Sequence, residues 1–204
     1  MKKYFVIGNP INHSLSPKLH NHWLKQNNIN AVYEKIKLEE SEIENFLLKI
    51  KNQEINSCNV TVPFKKAVIP FLDKLSSEAE QTQSVNTISF HSNNLIGHNT
   101  DVAGFEKAMI KLNYEVQDKK ILILGAGGVV PSIIYVLNKM KAAKITVSNR
   151  TRKKAEDLKS QFDKISIAQW GEVPDFDIII NATSLGLNNE SINLDTSNIG
   201  QGKF

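Results

Sequence analysis

The chain begins its patterning with a short apolar run, YFVIG at residues 4–8, then a loop and a stretch with helical spacing near 17–27. Residues 31–38 (AVYEKIKL) alternate like a strand, whereas 41–51 (SEIENFLLKIK) repeat their apolar positions at helical intervals. Ser41 is placed to cap that helix, with Glu44 completing a capping box. Residues 57–62 (SCNVTV) predict a third strand with Val60 and Val62 toward a core and Asn59 and Thr61 on the opposite face. Across 64–75, Phe64, Val68, Phe71 and Leu75 share one helical stripe, which Pro70 should kink. The two runs within 85–99 predict a hairpin turning at Ser92, Asn93 and Asn94.

From Asp101 the texture changes. A helix to about Asn113 precedes a strand, KKILIL, that is apolar at four consecutive positions, as suits a parallel strand covered on both faces. Helix 130–141, strand 144–149, helix 152–162 and strands near 165–168 and 176–181 follow. This rhythm predicts an α/β protein: an N-terminal α/β domain, 1–101, followed by a Rossmann-like doubly wound domain, 102–204. The boundary rests on the change of pattern, because no linker rich in Gly or Pro separates the halves.

Composition narrows the function classes. With 204 residues, 41% hydrophobic and 23% charged, the chain reads as an ordinary globular protein. Twenty-five basic against 21 acidic residues leave +4, with the lysines scattered. That surplus permits an anionic ligand and gives no argument for nucleic acid. A single cysteine, Cys58, excludes an internal disulfide and fits a reducing compartment. The opening MKKYFVIGNP has too short an apolar core for a signal peptide, and no run reaches membrane-spanning length, so a cytoplasmic location is expected.

GAGG (125–128) lies between the buried strand and the helix that follows it. Gly125 suits a tight turn, Gly127 admits close backbone approach to a pyrophosphate, and the helix N-terminus offers N–H groups. Val130 replaces the third glycine of the dinucleotide pattern, and Gly-rich turns also occur for purely structural reasons. The next strand ends in SNRTRKK (148–154), with no acid for a ribose hydroxyl and four cations. Cations at a helix N-terminus are unfavourable unless an anion joins them, so Arg150 is read as a 2′-phosphate clamp and NADP as the cofactor.

The first half holds several short polar motifs. Ser14 and Ser16 put two hydroxyls on one side of an extended loop, which suits a carboxylate; Ser16 is equally placed to cap a helix with Pro17 in its first turn. Asp101 also reads as a possible helix cap, and Lys65 alone reads as a surface lysine. The five histidines show no ligand spacing and are read as surface or capping residues, Cys58 as a small core side chain, and no metal is expected.

Together, HSLSPKLHN (13–21), NVTVPFK (59–65), VNT (85–87), NTDVAGF (99–105), GAGG, NRT (149–151) and NATSLG (181–186) resemble the shikimate dehydrogenase family. The resemblance spans essentially the whole chain. It implies a substrate domain at 1–101, an NADP-binding domain at 102–204, and NADPH-dependent reduction of 3-dehydroshikimate to shikimate in aromatic amino-acid biosynthesis. Carried across by position, Lys65 and Asp101 are the catalytic pair. Ser14 and Ser16 hold the substrate carboxylate, with Asn59 and Thr61 lining the same pocket, and Asn86 contacts the ring hydroxyls. Gly125, Ala126, Gly127 and Gly128 form the phosphate turn, Asn149, Arg150, Thr151 and Lys154 the 2′-phosphate site, and Thr183 a contact near the nicotinamide. The expected partner is a small acid, with the protein a monomer or homodimer and neither membrane nor nucleic acid engaged. Family members continue beyond NIGQGKF with further strands and a returning helix, so the resemblance implies a chain short of that segment. An NAD-using quinate/shikimate enzyme and a module that binds NADP or a shikimate-like acid without turnover are the alternatives.

Overall fold

The computed structural model describes residues 1–186, 190–192 and 194, and the closing NIGQGKF lies outside them. The chain divides into two compact units, Met1–Asp101 and Val102–Phe204. Among the described residues no helix is long and apolar enough to cross a membrane.

The first unit is built on a six-stranded sheet ordered β2-β1-β3-β5-β6-β4. Its strands are β1 (Lys2–Gly8), β2 (Ala31–Lys37), β3 (Ser57–Val60), β4 (Lys74–Leu75), β5 (Thr87–His91) and β6 (Asn94–His98). β1 runs parallel to β2 and β3, while β5 is antiparallel to both β3 and β6. One sheet face carries Phe5, Ile7, Cys58, Val60, Ile88 and Leu95 into the main core, closed by Phe46, Leu47 and Ile50 of α2 (Ile43–Lys51). On the other face, Val6 and Tyr33 pack with Ile11 and Leu24 of the α1 region (α1, Ser16–Gln26). Alternation along the strands assigns Asn59 to this second face with Val6, whose register partner it is, and Thr87 stands next in the same row. The β5–β6 hairpin turns on two residues, Ser92 and Asn93, both with positive φ, so Asn94 already belongs to β6. A short helix α3 (Ser77–Thr82), capped by the Ser76 hydroxyl, completes this unit.

Three expectations are corrected here. Val62 is 56% exposed, because β3 ends at Val60 and the alternation does not continue past it. Residues 64–75 are not a helix: turns lead to a single 3-10 turn at Ile69–Phe71 and then β4. Phe64 and Val68 are buried, but Pro70 has no N–H to continue a helical ladder and Phe71 is exposed. The segment before α2 opens at Glu39, whose N–H is accepted by the Glu42 carboxylate at 2.7 Å, so Ser41 and Glu44 do not form the cap.

The second unit is a parallel sheet ordered β10-β7-β8-β9, formed by β7 (Lys120–Leu124), β8 (Lys144–Ser148), β9 (Ile165–Ala168) and β10 (Ile178–Asn181). Ile121 and Ile123 of β7 face the core made with α5 (Val130–Lys139) and α6 (Arg152–Gln161), and Leu122 and Leu124 face Phe176 on the other side. Both faces are thus covered, as the unbroken apolar run requires. Helix α4 (Thr100–Lys111) contributes Met109 to this core.

Cys58 is fully buried in the first core, and burial pushes its thiol up, keeping it protonated. The folded protein is expected to resist a thiol-specific reagent at neutral pH and to react with one equivalent on unfolding. Rapid labelling of the native state would contradict that burial.

Candidate active site

Where β1 and β3 end side by side, the backbone approach is close. A Cβ on Gly8 would stand 2.6 Å from the Thr61 methyl and 3.0 Å from the Val62 carbonyl, so only glycine leaves Thr61 in place. The Asn9 N–H binds the Val62 carbonyl at 3.0 Å and the Thr61 N–H binds that of Ile7 at 2.9 Å. The loop carrying Ser14 therefore leaves the sheet beside the turn that carries Thr61. The α1 helix begins at Ser16 itself, with Leu15 at the cap position and no side-chain cap. Ser16 thus does not cap the helix, and Ser14 Oγ accepts the Ser16 N–H at 3.3 Å.

After β3 the chain turns sharply. Phe64 donates its N–H to the Thr61 carbonyl and buries its ring, and the Lys65 carbonyl accepts the Val85 N–H at 2.8 Å. Lys65 is thereby held against the start of α4, where its Nζ donates to Asp101 Oδ2 at 2.5 Å. The two side chains are only 13% and 26% exposed, so Lys65 is not a surface lysine. A pair this shielded is screened less by solvent than an open surface pair.

Asp101 has its carboxylate available because it does not cap its own helix. Asn99 does: its Oδ1 accepts the Asp101 N–H at 3.0 Å. Asn86 Nδ2 donates to the second Asp101 oxygen at 2.9 Å, while Asn86 Oδ1 accepts the Thr100 N–H at 2.9 Å. Asn59 joins the same network, donating to the Asn86 carbonyl at 3.2 Å and to Thr87 Oγ1 at 2.9 Å.

Tyr33, Thr87, Asn99 and Thr100 were not singled out from the sequence. Thr87 stands inside the VNT motif and Asn99 and Thr100 inside NTDVAGF, so those motifs carry their signal. Tyr33 had only strand alternation to mark it. Its ring is stacked on His20, with centroids 4.1 Å apart and planes 5° from parallel. His20 is therefore half-buried rather than a surface residue, and burial lowers its pKa. His98 likewise meets the Ser89 hydroxyl through Nε2 at 3.3 Å.

In the second unit the ends of β7, β8 and β10 converge on GAGG. Gly125 has φ +111°, its N–H binds the Ser148 carbonyl at 2.8 Å, and a Cβ there would stand 2.8 Å from the Ala182 carbonyl. Around Gly127 nothing lies within 4 Å of where a Cβ would be, leaving open space against the backbone ahead of α5. Ala126 and Val129 pack against the core, and Val130, in place of the third glycine, is fully buried within it. Thr183 stands beside the Gly125 turn, its hydroxyl donating to Asn181 Oδ1 at 2.7 Å and accepting the Leu185 N–H at 3.1 Å.

The four cations after β8 separate into two kinds. Arg152 pairs with Glu156 and Lys153 with Asp157, each at 3.0 Å along α6. Arg150 and Lys154 make no ion pair among the described residues. Asn149 donates to the Thr151 carbonyl at 2.8 Å, and Thr151 precedes α6 without a side-chain cap bond. An open depression of 360 Å³ here is lined by Asn149, Arg150, Arg152, Ala168, Gln169 and Trp170. A glycine cradle at a helix start, together with an arginine lacking a carboxylate partner, fits a nucleotide bearing an extra phosphate.

Comparison with known proteins agrees with both halves. Residues 6–88 match the shikimate dehydrogenase substrate binding domain, and residues 106–192 match shikimate/quinate 5-dehydrogenase. Shikimate dehydrogenase (NADP+) of Pelagibacter ubique is 56% identical over all of this chain and 78% of its own length. That of Legionella pneumophila is 40% identical over 95% of this chain and 73% of its own. Among solved structures, shikimate dehydrogenase from Aquifex aeolicus superposes with a TM-score of 0.85 at 35% identity, covering 97% of this chain and 74% of that one. The Thermus thermophilus enzyme in complex with NADP(H) and shikimate gives 0.82 at 28% identity over 93% and 71%. The chain belongs to the shikimate dehydrogenase family.

Proposed function

We propose that the chain is an NADP-dependent shikimate dehydrogenase, an oxidoreductase that interconverts shikimate and 3-dehydroshikimate. The observation that carries this reading is the shielded Lys65–Asp101 pair, held by Asn86 in a chain whose relatives are NADP+ enzymes of that name.

NADPH, when bound, supplies the hydride. As the substrate ketone is reduced, negative charge develops on its oxygen, and the Lys65 ammonium stabilises that charge and donates the proton. Reprotonation of the resulting amine from solvent completes the cycle, and in the oxidation direction neutral Lys65 accepts the hydroxyl proton. Asp101 orients the ammonium, and Asn86 keeps the carboxylate facing it. The hydroxyls of Ser14 and Ser16 are donors for the substrate carboxylate, with Asn59 and Thr61 on the wall beside them. Asn86 is assigned a contact to the ring hydroxyls.

The turn Gly125–Gly128 would hold the pyrophosphate through backbone N–H groups, and Arg150, with Asn149, Thr151 and Lys154, the 2′-phosphate. Thr183 is assigned to the nicotinamide side. Domain roles follow: residues 1–101 bind substrate and 102–204 bind NADP. Arg150 disfavours the NAD-using quinate reading, since nothing in NAD would neutralise it.

The test is NADPH formation from shikimate and NADP+ by the purified chain, followed by absorbance. Turnover that depends on shikimate and prefers NADP+ over NAD+ supports the assignment. A folded protein that binds NADP+ without turnover would make this a binding module.

A further inference from the structure

Asn86 is joined to more of the first unit than Asp101. Tyr33 donates its hydroxyl to Asn59 Oδ1 at 2.6 Å, Asn59 Nδ2 donates to Thr87 Oγ1 at 2.9 Å, and Thr87 Oγ1 donates to Asn86 Oδ1 at 3.1 Å. Asn86 Nδ2 then donates to Asp101. The direction of this chain is not arbitrary. The Asn86 backbone carbonyl accepts from Asn59 Nδ2, and since a carbonyl only accepts, the Asn59 amide has one allowed orientation. The Thr100 N–H only donates, so it fixes Asn86 with Oδ1 toward it and Nδ2 toward the carboxylate.

Thr87 lies between a group that must donate and a group that must accept. Its hydroxyl has a single consistent role, accepting from Asn59 and donating to Asn86. At the far end, the Asn59 oxygen leaves the Tyr33 hydroxyl only the donor role, and burial pushes the Tyr33 pKa up, keeping that proton in place. The Tyr33 backbone is itself clamped, its N–H accepted by Asn21 Oδ1 at 2.9 Å and its carbonyl bound by Asn21 Nδ2 at 2.7 Å. Every donor from Tyr33 onward points toward Asp101, so each bond polarises the next in favour of the carboxylate's negative charge.

We infer that Thr87 is a positioning residue that couples the buried Tyr33 and its partner Asn59 to the Asn86–Asp101–Lys65 group. The inference rests on the proposed dehydrogenase activity for its kinetic arm, but not for its spectroscopic one. Within the network, Thr87 is the side chain through which Tyr33 and Asn59 reach the Asn86 amide. The Asn59–Asn86 carbonyl bond fixes orientation without touching that amide.

Thr87→Val keeps shape and strand preference while removing both bonds. Loss of two hydrogen bonds to a site of this kind should lower kcat about 10-fold, with the KM for NADP+ and the Tm little changed. Thr87→Ser should restore kcat to within about twofold, because the hydroxyl returns. Tyr33→Phe should lower kcat by about threefold, yet add nothing in the Thr87→Val background, since its route to Asp101 is already cut. Multiplying effects in the double variant, or an unchanged kcat in Thr87→Val, would overturn the coupling.

The second arm is independent of turnover. In side-chain amide NMR spectra, Tyr33→Phe should shift the Asn86 Nδ2 resonances in the parent and leave them unmoved in Thr87→Val. Asn86 signals that ignore Tyr33→Phe in both backgrounds would sink the inference. If the parent shows no turnover while the Asn86 shift follows this pattern, the activity assignment fails and the coupling stands.

Discussion

Lys65→Ala is expected to remove nearly all shikimate oxidation, with kcat reduced about 10³-fold and NADP+ affinity changed by less than about twofold. The variant deletes the donor that the mechanism places at the reacting oxygen and leaves Asp101 to Asn86 alone. A carboxylate left without its cation is destabilising, but Asp101 is a quarter exposed and solvent takes up part of that loss. The fold should therefore survive, which a melting curve would verify before any rate is read. Lys65→Arg is the informative companion. It preserves charge but not an easily transferred proton, so it should remain at least about 100-fold impaired if proton donation matters as well as electrostatics. Saturating initial rates for both variants, with NADP+ binding measured separately, decide the matter. Retention of more than a tenth of the parent kcat in Lys65→Ala would remove Lys65 from the chemistry.

Arg150→Leu should weaken NADP+ about 30-fold while changing the KM for NAD+ by no more than about threefold, so the preference between the two collapses. The magnitude follows from losing a charge-assisted, two-pronged contact to a phosphate that NAD lacks. The protein supplies its own control. Arg152 lines the same depression but is engaged by Glu156, so Arg152→Leu should alter the NADP+ to NAD+ ratio far less. The ratio of kcat/KM for the two cofactors reads the effect, and calorimetric titration with 2′,5′-ADP reads it without turnover. Equal losses from the two arginines would mean that a general positive field, not a placed clamp, selects the cofactor.

The second unit was the more legible half. Four apolar residues in a row at 121–124 require a strand covered on both sides, and the glycine turn then has one natural place to sit. In the first unit the strands could be read, but not what happens where they stop. Val62 continues the apolar alternation beyond the end of β3, yet it is exposed because parallel pairing to β1 gives way there to a turn. The stripe Phe64, Val68, Phe71, Leu75 mimicked a helix, but side-chain spacing does not register that Pro70 breaks the ladder.

The site was readable as motifs and unreadable as a network. Lys65, Asn86 and Asp101 stood out within their motifs. That Asp101 escapes helix capping depends on Asn99 performing it, and that Asn86 faces the carboxylate depends on a backbone N–H from Thr100. Tyr33 is more remote still: its hydroxyl meets a residue 26 positions away through strand register, which no local spacing encodes.

The hairpin between β5 and β6 has a consequence for how this sequence can vary. Asn86 precedes one arm and Thr100 and Asp101 follow the other, with Thr87 opposite His98 and the pairing closed by two residues at Ser92 and Asn93. Turn length thus sets which residue arrives opposite Asn86. A deletion or insertion of one residue at that exposed tip would slide or bulge one arm against the other. Such a length change, though tolerated by most surface turns, would carry Asp101 out of reach of its partners. The tip of the hairpin works as a gauge for the catalytic end, and its length is constrained by chemistry it never touches.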